Sequence, residues 1–310
     1  MAGLIAILCS GQGGQHAGMF NLVADAPEAQ PVFSAAAELL QVDPRDFVRT
    51  ASPADLFSNR NGQILCCTQA LAVWAALGSN KPKRAVIAGY SVGELASWGV
   101  AGMLDAPTTL HVAAQRAQAM DTASPPDGGM AGIIGLTRTL LEPILARHSA
   151  NIAITNETDS FVIGGHKPDL EAICAEAMAN GARRAVLIPV TVPSHTTFLA
   201  GATPVLARIL EAAAPVMPPY GYRVLTTLDG GSIEHIPEAI DKLSRQVSSM
   251  IRWSTCLDSC RSAGAKAVLE LGPGVALSKM ADNRFPEGAA RSADDFRTLT
   301  GLSDWLREFT

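Results

Sequence analysis

The stretch Gly89-Tyr90-Ser91-Val92-Gly93-Glu94 permits few conformations around it. The apolar run Ala85-Val86-Ile87-Ala88 precedes it and a helix-compatible run, Leu95 to Val100, follows. A short apolar run closed by Gly reads as a buried strand, so the pattern is strand, tight turn, helix. A side chain at position 89 or 93 would crowd such a turn, which accounts for glycine on both flanks. The turn lifts the Ser91 hydroxyl clear of the strand and sets it near a helix N-terminus, whose free N–H groups favour developing negative charge. A serine presented in this way is a candidate nucleophile. The alternative is a plain Gly-Ser connection, and in a chain with 27 glycines the motif alone does not exclude it. The strand before it and the helix after it favour the nucleophile.

A chain of 310 residues has room for two domains, or for one large α/β domain with an insert. Hydrophobic residues make up 48% and charged residues 17%, a balance that builds a sizeable core. The net charge of −5 and pI near 5.7 argue against nucleic acid or an anionic membrane surface as a partner. No uninterrupted apolar run approaches the roughly 18 residues of a membrane span. The opening Leu4-Ile5-Ala6-Ile7-Leu8 lacks a basic flank, since no Lys or Arg precedes Arg45, and reads as a first buried strand. The 6 cysteines show no C-x-x-C spacing and are expected to be reduced thiols in a cytoplasmic protein. None of the 6 histidines sits at zinc-ligand spacing, so no metal is expected.

After the first strand comes Ser10-Gly11-Gln12-Gly13-Gly14-Gln15, with His16 where a dinucleotide fingerprint needs Gly. The loop is either a flexible connection or a turn whose N–H groups face an anion. Helices are predicted over Pro31 to Leu40, Gln63 to Leu77 and Thr109 to Met120, with a polar, Pro-containing connection between the first two. Arg116 lies close to the apolar side of the third helix, where a lone Arg ordinarily snorkels to solvent. Ser124-Pro125-Pro126-Asp127-Gly128-Gly129 is the clearest linker. Beyond it the pattern predicts strand Met130 to Ile134, helix Thr139 to Arg147 opened by a Thr139–Glu142 capping box, and strands Asn151 to Thr155 and Phe161 to Gly165. Helix Pro168 to Ala179 and strand Ala185 to Val190 complete it. That βαββαβ order is a split, ferredoxin-like unit. The expected fold is therefore α/β: a large α/β-hydrolase-like domain with a parallel-sheet core, residues 1–126 and 199–310, carrying a small ferredoxin-like subdomain, residues 127–198. A ligand cleft is expected between the two. Further on, a helix is predicted over Pro237 to Ile251, a strand over Val268 to Leu271, and a short helix over Ser303 to Phe309. His195, in Val192-Pro193-Ser194-His195, would by itself pass for a solvated loop residue.

Taken in order, these landmarks resemble the malonyl-CoA:acyl carrier protein transacylase family, which includes the acyltransferase domains of fatty acid and polyketide synthases. Gly11 to Gln15 resembles its N-terminal G-Q-G-x-Q, and Gly89 to Glu94 its G-H-S-x-G-E. Arg116 falls where the family keeps a carboxylate-binding Arg. Asn156 with Val162-Ile163-Gly164-Gly165-His166 resembles its Asn-containing loop and following strand. Val192 to His195 resembles the segment bearing the catalytic His, and Gln246 and Glu270-Leu271-Gly272-Pro273-Gly274 match two further landmarks. The resemblance spans nearly the whole chain. Three positions depart from the pattern: Tyr90 replaces a His, Ser10 a common Pro, and Ser160 a frequent Gln. The first alters whatever polar contact that His makes; the second is expected to matter little; the third bears on acyl selection.

The resemblance implies an acyltransferase that moves a malonyl group from malonyl-CoA to the thiol of an acyl carrier protein, with no cofactor. Ser91 would carry the acyl group and His195 act as base and acid. The N–H groups of Val92 and Gln12 would form the oxyanion hole. The Gln246 backbone carbonyl would orient His195, and Arg116 and Asn156 would bind substrate. Asp121 and Asp159 are available as acids but neither is placed persuasively for a triad. A malonate decarboxylase malonyltransferase and a stand-alone polyketide acyltransferase are relatives of the same kind. A serine esterase or thioesterase would share the elbow but nominate the later His235. A non-catalytic docking subunit would have no use for Ser91, His195 and Arg116 together.

Overall fold

The computed structural model describes residues 3–310. Along the chain the strands are β1 (Ile5–Cys9), β2 (Ala85–Gly89), β3 (Gly128–Ile134), β4 (Ala150–Glu157), β5 (Ser160–His166) and β6 (Arg184–Ile188). They continue with β7 (Tyr222–Val224), β8 (Ile251–Arg252), β9 (Ala267–Glu270) and β10 (Ala290–Ser292). They form two sheets. The first has the order β10-β9-β1-β2-β7 and is parallel throughout. Helices cover a parallel sheet on both faces, so its central strands need no polar alternation; every residue of β1 and β2 is buried. Because β1 and β2 run side by side, with Cys9 opposite Gly89, the loops that leave their carboxyl ends are neighbours. The Gly11–Gln15 loop and the Ser91 turn are those loops, placed where open α/β sheets bind ligands.

The second sheet has the order β6-β3-β5-β4-β8. Its first four strands pair antiparallel, in the arrangement of a split βαββαβ unit. One face packs on a small core of its own that includes Ile133, Leu141, Phe161, Ile163 and Leu170. The other face sends Met130, Ile154, Val162 and Ile188 toward the main core. We propose the division into 1–126 with 199–310 and 127–198 as two structural units; the separate small core supports it. Strand β8 comes from outside the insert yet pairs parallel with β4, Ile154 opposite Ile251. Among the described residues no helix is long and apolar enough to cross a membrane.

Several local expectations change. The helix predicted to reach Ile251 ends at Gln246, and Ile251 is instead a residue of β8. Pairing with β4 overrides helical periodicity there, as tertiary contacts commonly do. The helix after β3 starts at Arg138 with Thr137 as its N-cap and no side-chain cap bond, so the Thr139–Glu142 capping box does not form. The polar connection after Leu40 holds two short helices, Pro44–Thr50 and Pro53–Leu56. Asp43 and Ser52 cap them, and each has Pro in its first turn. The helices Trp253–Ser262 and Ala276–Ala281 and the edge strand β10 carry no strong sequence signal of their own.

Candidate active site

Ser91 stands between β2 and the helix Val92–Val100 with φ 57° and ψ −117°, a left-handed conformation that non-glycine residues rarely adopt. Its surroundings impose this. A Cβ on Gly89 would lie 1.9 Å from the Gly93 carbonyl, and one on Gly93 would lie 2.0 Å from the Cys9 carbonyl oxygen. The turn can close against β1 only with glycine at both positions. Strained backbone of this kind persists where the fold over-determines it, and such sites cluster at reactive centres.

His195 has φ 63° and is held by its own N–H, which donates to the Val247 carbonyl at 2.8 Å. Its Nδ1 lies 2.6 Å from the Gln246 backbone oxygen and its Nε2 lies 2.8 Å from Ser91 Oγ. A carbonyl only accepts, so Nδ1 carries the proton and Nε2 turns its lone pair to the serine hydroxyl. Burial, and then the nearby Arg116 charge, push the imidazole down to about 3, against the pull of the Gln246 carbonyl. A neutral His at hydrogen-bond distance from a serine hydroxyl is arranged to take its proton. Asp121 instead accepts from Asn59, and Asp159 from Arg183. His235 is exposed at the start of the helix Ile236–Gln246, so the histidine at the serine is His195.

Gln246 does more than its backbone carbonyl implied. Its side-chain Nε2 donates to the Ser91 carbonyl at 3.0 Å, to Glu94 Oε2 at 2.8 Å and to Thr227 Oγ1 at 3.1 Å. Its Oε1 accepts from Arg116 at 3.0 Å. Arg116, on the helix Ala106–Ala123, is 1% exposed rather than snorkelling, and its other terminal nitrogen donates to Gln63 Oε1 at 2.7 Å. Its Nε has no partner among the described residues. Burial pulls the guanidinium down to about 10, with the Cys67 thiol and the Glu94 carboxyl opposing. It stays a cation at neutral pH, bonded directly only to neutral amides. Glu94, to which the sequence assigned no role of its own, is 1% exposed and also accepts from the Thr227 N–H at 3.0 Å and from the Thr227 hydroxyl. Burial raises its pKa; the bonds from Thr227 and Gln246 and the charge of Arg116 hold it back.

A cavity of about 130 Å³ opens over Ser91, lined on one side by Gln12, Tyr90, Ser91, Ser194 and His195. Met130, Ile154, Val162, Ile188 and Val190 form the other side. The Gln12 and Val92 N–H groups donate to no acceptor among the described residues, and Val92 is the first residue of its helix, where no intrahelical acceptor exists. A second cavity of about 520 Å³ adjoins, sharing Gln12, Tyr90 and Val162 and running past Asn156 to Lys279. The Tyr90 hydroxyl donates to Asn156 Oδ1 at 3.1 Å, and its ring packs edge-on against Trp253 at 5.3 Å. Arg116 is not in the wall of the Ser91 cavity; it lies behind Gln246. Ser160 is also absent from that wall, although Val162 on the same strand belongs to it. Ser10 matters more than expected: it is buried and donates to the buried Glu270 carboxyl at 2.7 Å.

The acyl transferase domain family matches residues 7–291. The chain is 28% identical to the malonyl CoA-acyl carrier protein transacylase of Salmonella typhimurium over 285 residues, 88% of this chain and 90% of that protein. Its fold is similar to the crystal structure of an acyl-carrier-protein S-malonyltransferase from Burkholderia pseudomallei, with a TM-score of 0.86 at 28% identity, covering 98% of this chain and 99% of that one. It is also similar to the malonyl CoA-acyl carrier protein transacylase of Coxiella burnetii, with a TM-score of 0.89 at 27% identity, covering 100% and 99%. Because the match runs from the first strand to the last and the fold is shared end to end, this protein belongs to the acyl transferase domain family.

Proposed function

We propose that the protein transfers a malonyl group from malonyl-CoA to the thiol of an acyl carrier protein through an acyl-enzyme on Ser91. Ser91 Oγ attacks the thioester carbonyl while His195 Nε2 takes its proton. The carbonyl oxygen becomes an oxyanion that accepts from the Gln12 and Val92 N–H groups, which have no acceptor among the described residues. The tetrahedral intermediate collapses, the carbon–sulfur bond breaks, and His195 returns the proton to the departing thiolate. A carrier thiol then repeats these steps in reverse order, giving its proton to His195 and releasing Ser91. The chemistry needs no cofactor. The Gln246 carbonyl steadies the imidazolium that forms twice in each cycle.

The observation that carries the malonyl assignment is the buried Arg116 cation. A guanidinium has five N–H donors, and the Gln63 and Gln246 oxygens occupy only two of its nitrogens. A desolvated cation with donors to spare, one side chain away from the nucleophile, favours an acyl group that ends in a carboxylate. The names of the relatives supply the same donor and acceptor. That Asn156 lines the adjoining cavity, tied to Tyr90, supports a role for it in binding substrate. Intact-protein mass spectrometry after incubation with malonyl-CoA tests the proposal. One malonyl adduct is expected, lost on adding a carrier thiol and absent in Ser91→Ala. An adduct mapped to another residue would rule the reading out.

A further inference from the structure

Among the described residues, Gln246 is bonded to Ser91, to His195 and to Arg116. Which end of its side-chain amide faces Arg116 is therefore a functional matter. We infer that Glu94 is a positioning residue for acyl-group selection: its carboxylate holds the Gln246 amide in the one orientation that presents an oxygen to Arg116. The inference rests on Arg116 binding the carboxylate of the acyl group.

The hydrogen-bond inventory carries the argument. On one side of the Gln246 amide stands Arg116, which can only donate. On the other stand Glu94 Oε2 and the Ser91 carbonyl, which only accept. A flipped amide would set N–H against N–H at Arg116 and oxygen against oxygen at Glu94, all within a buried region where an unmade bond is costly. Thr227 decides how far Glu94 controls this. Its hydroxyl could donate to a flipped Gln246 oxygen, but Glu94 Oε2 takes that proton and leaves the hydroxyl oxygen as an acceptor for Gln246 Nε2. The same Oε2 also takes the Thr227 N–H. Without an acceptor at this point, Thr227 is free to donate to the flipped form, and only Arg116 and the Ser91 carbonyl still oppose reversal.

Reversal would turn an N–H of Gln246 against the guanidinium and displace it, while leaving the Gln246 backbone carbonyl on His195. The nucleophile and its base would survive, and discrimination between acyl groups would not. The Glu94 side chain acts through Gln246; it is bonded to no reacting atom and does not line the cavity.

The test compares kcat/KM for malonyl-CoA and for acetyl-CoA, which has no terminal carboxylate, in wild type, Glu94→Gln and Glu94→Met. Gln retains an acceptor oxygen at the Oε2 position and Met does not. Glu94→Met is expected to lower the malonyl-to-acetyl ratio by at least about ten-fold, the scale of one hydrogen bond to a charged group. Glu94→Gln should restore the ratio to within about three-fold of wild type, a difference of less than one kcal/mol. Equal losses for both donors in Glu94→Met would mean a purely structural role and overturn the inference. A Glu94→Gln ratio as low as that of Glu94→Met would overturn it too, because charge would then matter and orientation would not. Arg116→Ala separates the two readings. An unchanged ratio in that variant removes the carboxylate reading together with this inference, whereas a lowered ratio there beside an unaffected Glu94→Met removes this inference alone. If Glu94→Met does not fold, Gln246→Met takes the same amide away from the other side and keeps the backbone carbonyl. The same fall in ratio is expected, and an unchanged ratio overturns the inference.

Discussion

The two sides of the Ser91 cavity are built differently. The polar side, at the carboxyl end of β2 and the exit of the insert, presents atoms with assigned partners: Ser91 with His195, and His195 with Gln246, which Glu94 and Arg116 hold from behind. It also contains both left-handed residues of the site, Ser91 and His195. The side that belongs to the second sheet presents Met130, Ile154, Val162 and Ile188, backed by a separate and much smaller core. A proton-transfer pair tolerates little displacement: Ser91 follows directly on the buried strand β2, and His195 is tied to the Val247 and Gln246 carbonyls. An apolar wall works by excluding water and limiting shape, which tolerates more movement. The contrast assigns proton transfer and recognition of the acyl carboxylate to one side, and exclusion of water to the other.

The sharpest way to break this comparison is His195→Ala. It should slow acyl-enzyme formation by roughly 10²–10⁴-fold, the usual worth of a positioned base, for malonyl and acetyl donors alike. Single-turnover mass spectrometry reads the rate, and a loss below ten-fold would take the chemistry away from the polar side. Next in size is Arg116→Ala. Removing one partner of a desolvated charge pair costs about 2–5 kcal/mol, so malonyl transfer should fall by about 30-fold to several-thousand-fold. Acetyl transfer should be spared, and kcat/KM for the two donors decides.

On the apolar side, Val162→Ala should cost about 1.5 kcal/mol of stability from the lost methyl groups, and change the rate with malonyl-CoA by only about two- to three-fold. A larger loss of rate without a change in melting temperature would show that the wall takes part in the chemistry. The last effect is that of pH. His195 has a folded value near 3, below its ordinary 6.5, so the unfolded chain binds a proton that the folded site resists. Its contribution to stability is full above pH 6.5 and is lost as the pH falls from there toward 3. Wild type should therefore lose more melting temperature between pH 7 and pH 4 than His195→Asn does, and equal losses would place the imidazole in solvent. The same shift should carry the acidic limb of kcat/KM below the ordinary histidine range.

Some of this site is legible in a short window of residues. Gly89, Ser91 and Gly93 announce the elbow because the obstruction they avoid is their own turn and the strand beside it. The βαββαβ order is legible because each element carries its own periodicity. Other parts are not. Ile251 continues a helical pattern and leaves it only because β4 offers an open edge. Thr139 and Glu142 have the spacing of a capping box, yet the helix starts at Arg138 with Thr137 as its cap. Resemblance singled out Gln246 for its backbone carbonyl, and nothing local indicated that its side chain would join Arg116 to Glu94.

The sequence by itself determined the strand–turn–helix at Ser91, the buried parallel strands and the inserted unit, since each depends on sterics and hydrophobic burial among near neighbours. Resemblance, and no local pattern, nominated His195 and the Gln246 carbonyl; the tertiary structure brings that histidine to the serine and that carbonyl to the histidine, and it alone set the Gln246 amide against the buried arginine. Those partners lie 104, 51 and 130 residues apart along the chain. A hydrogen bond depends on distance and direction in space, and across such separations no local propensity specifies either.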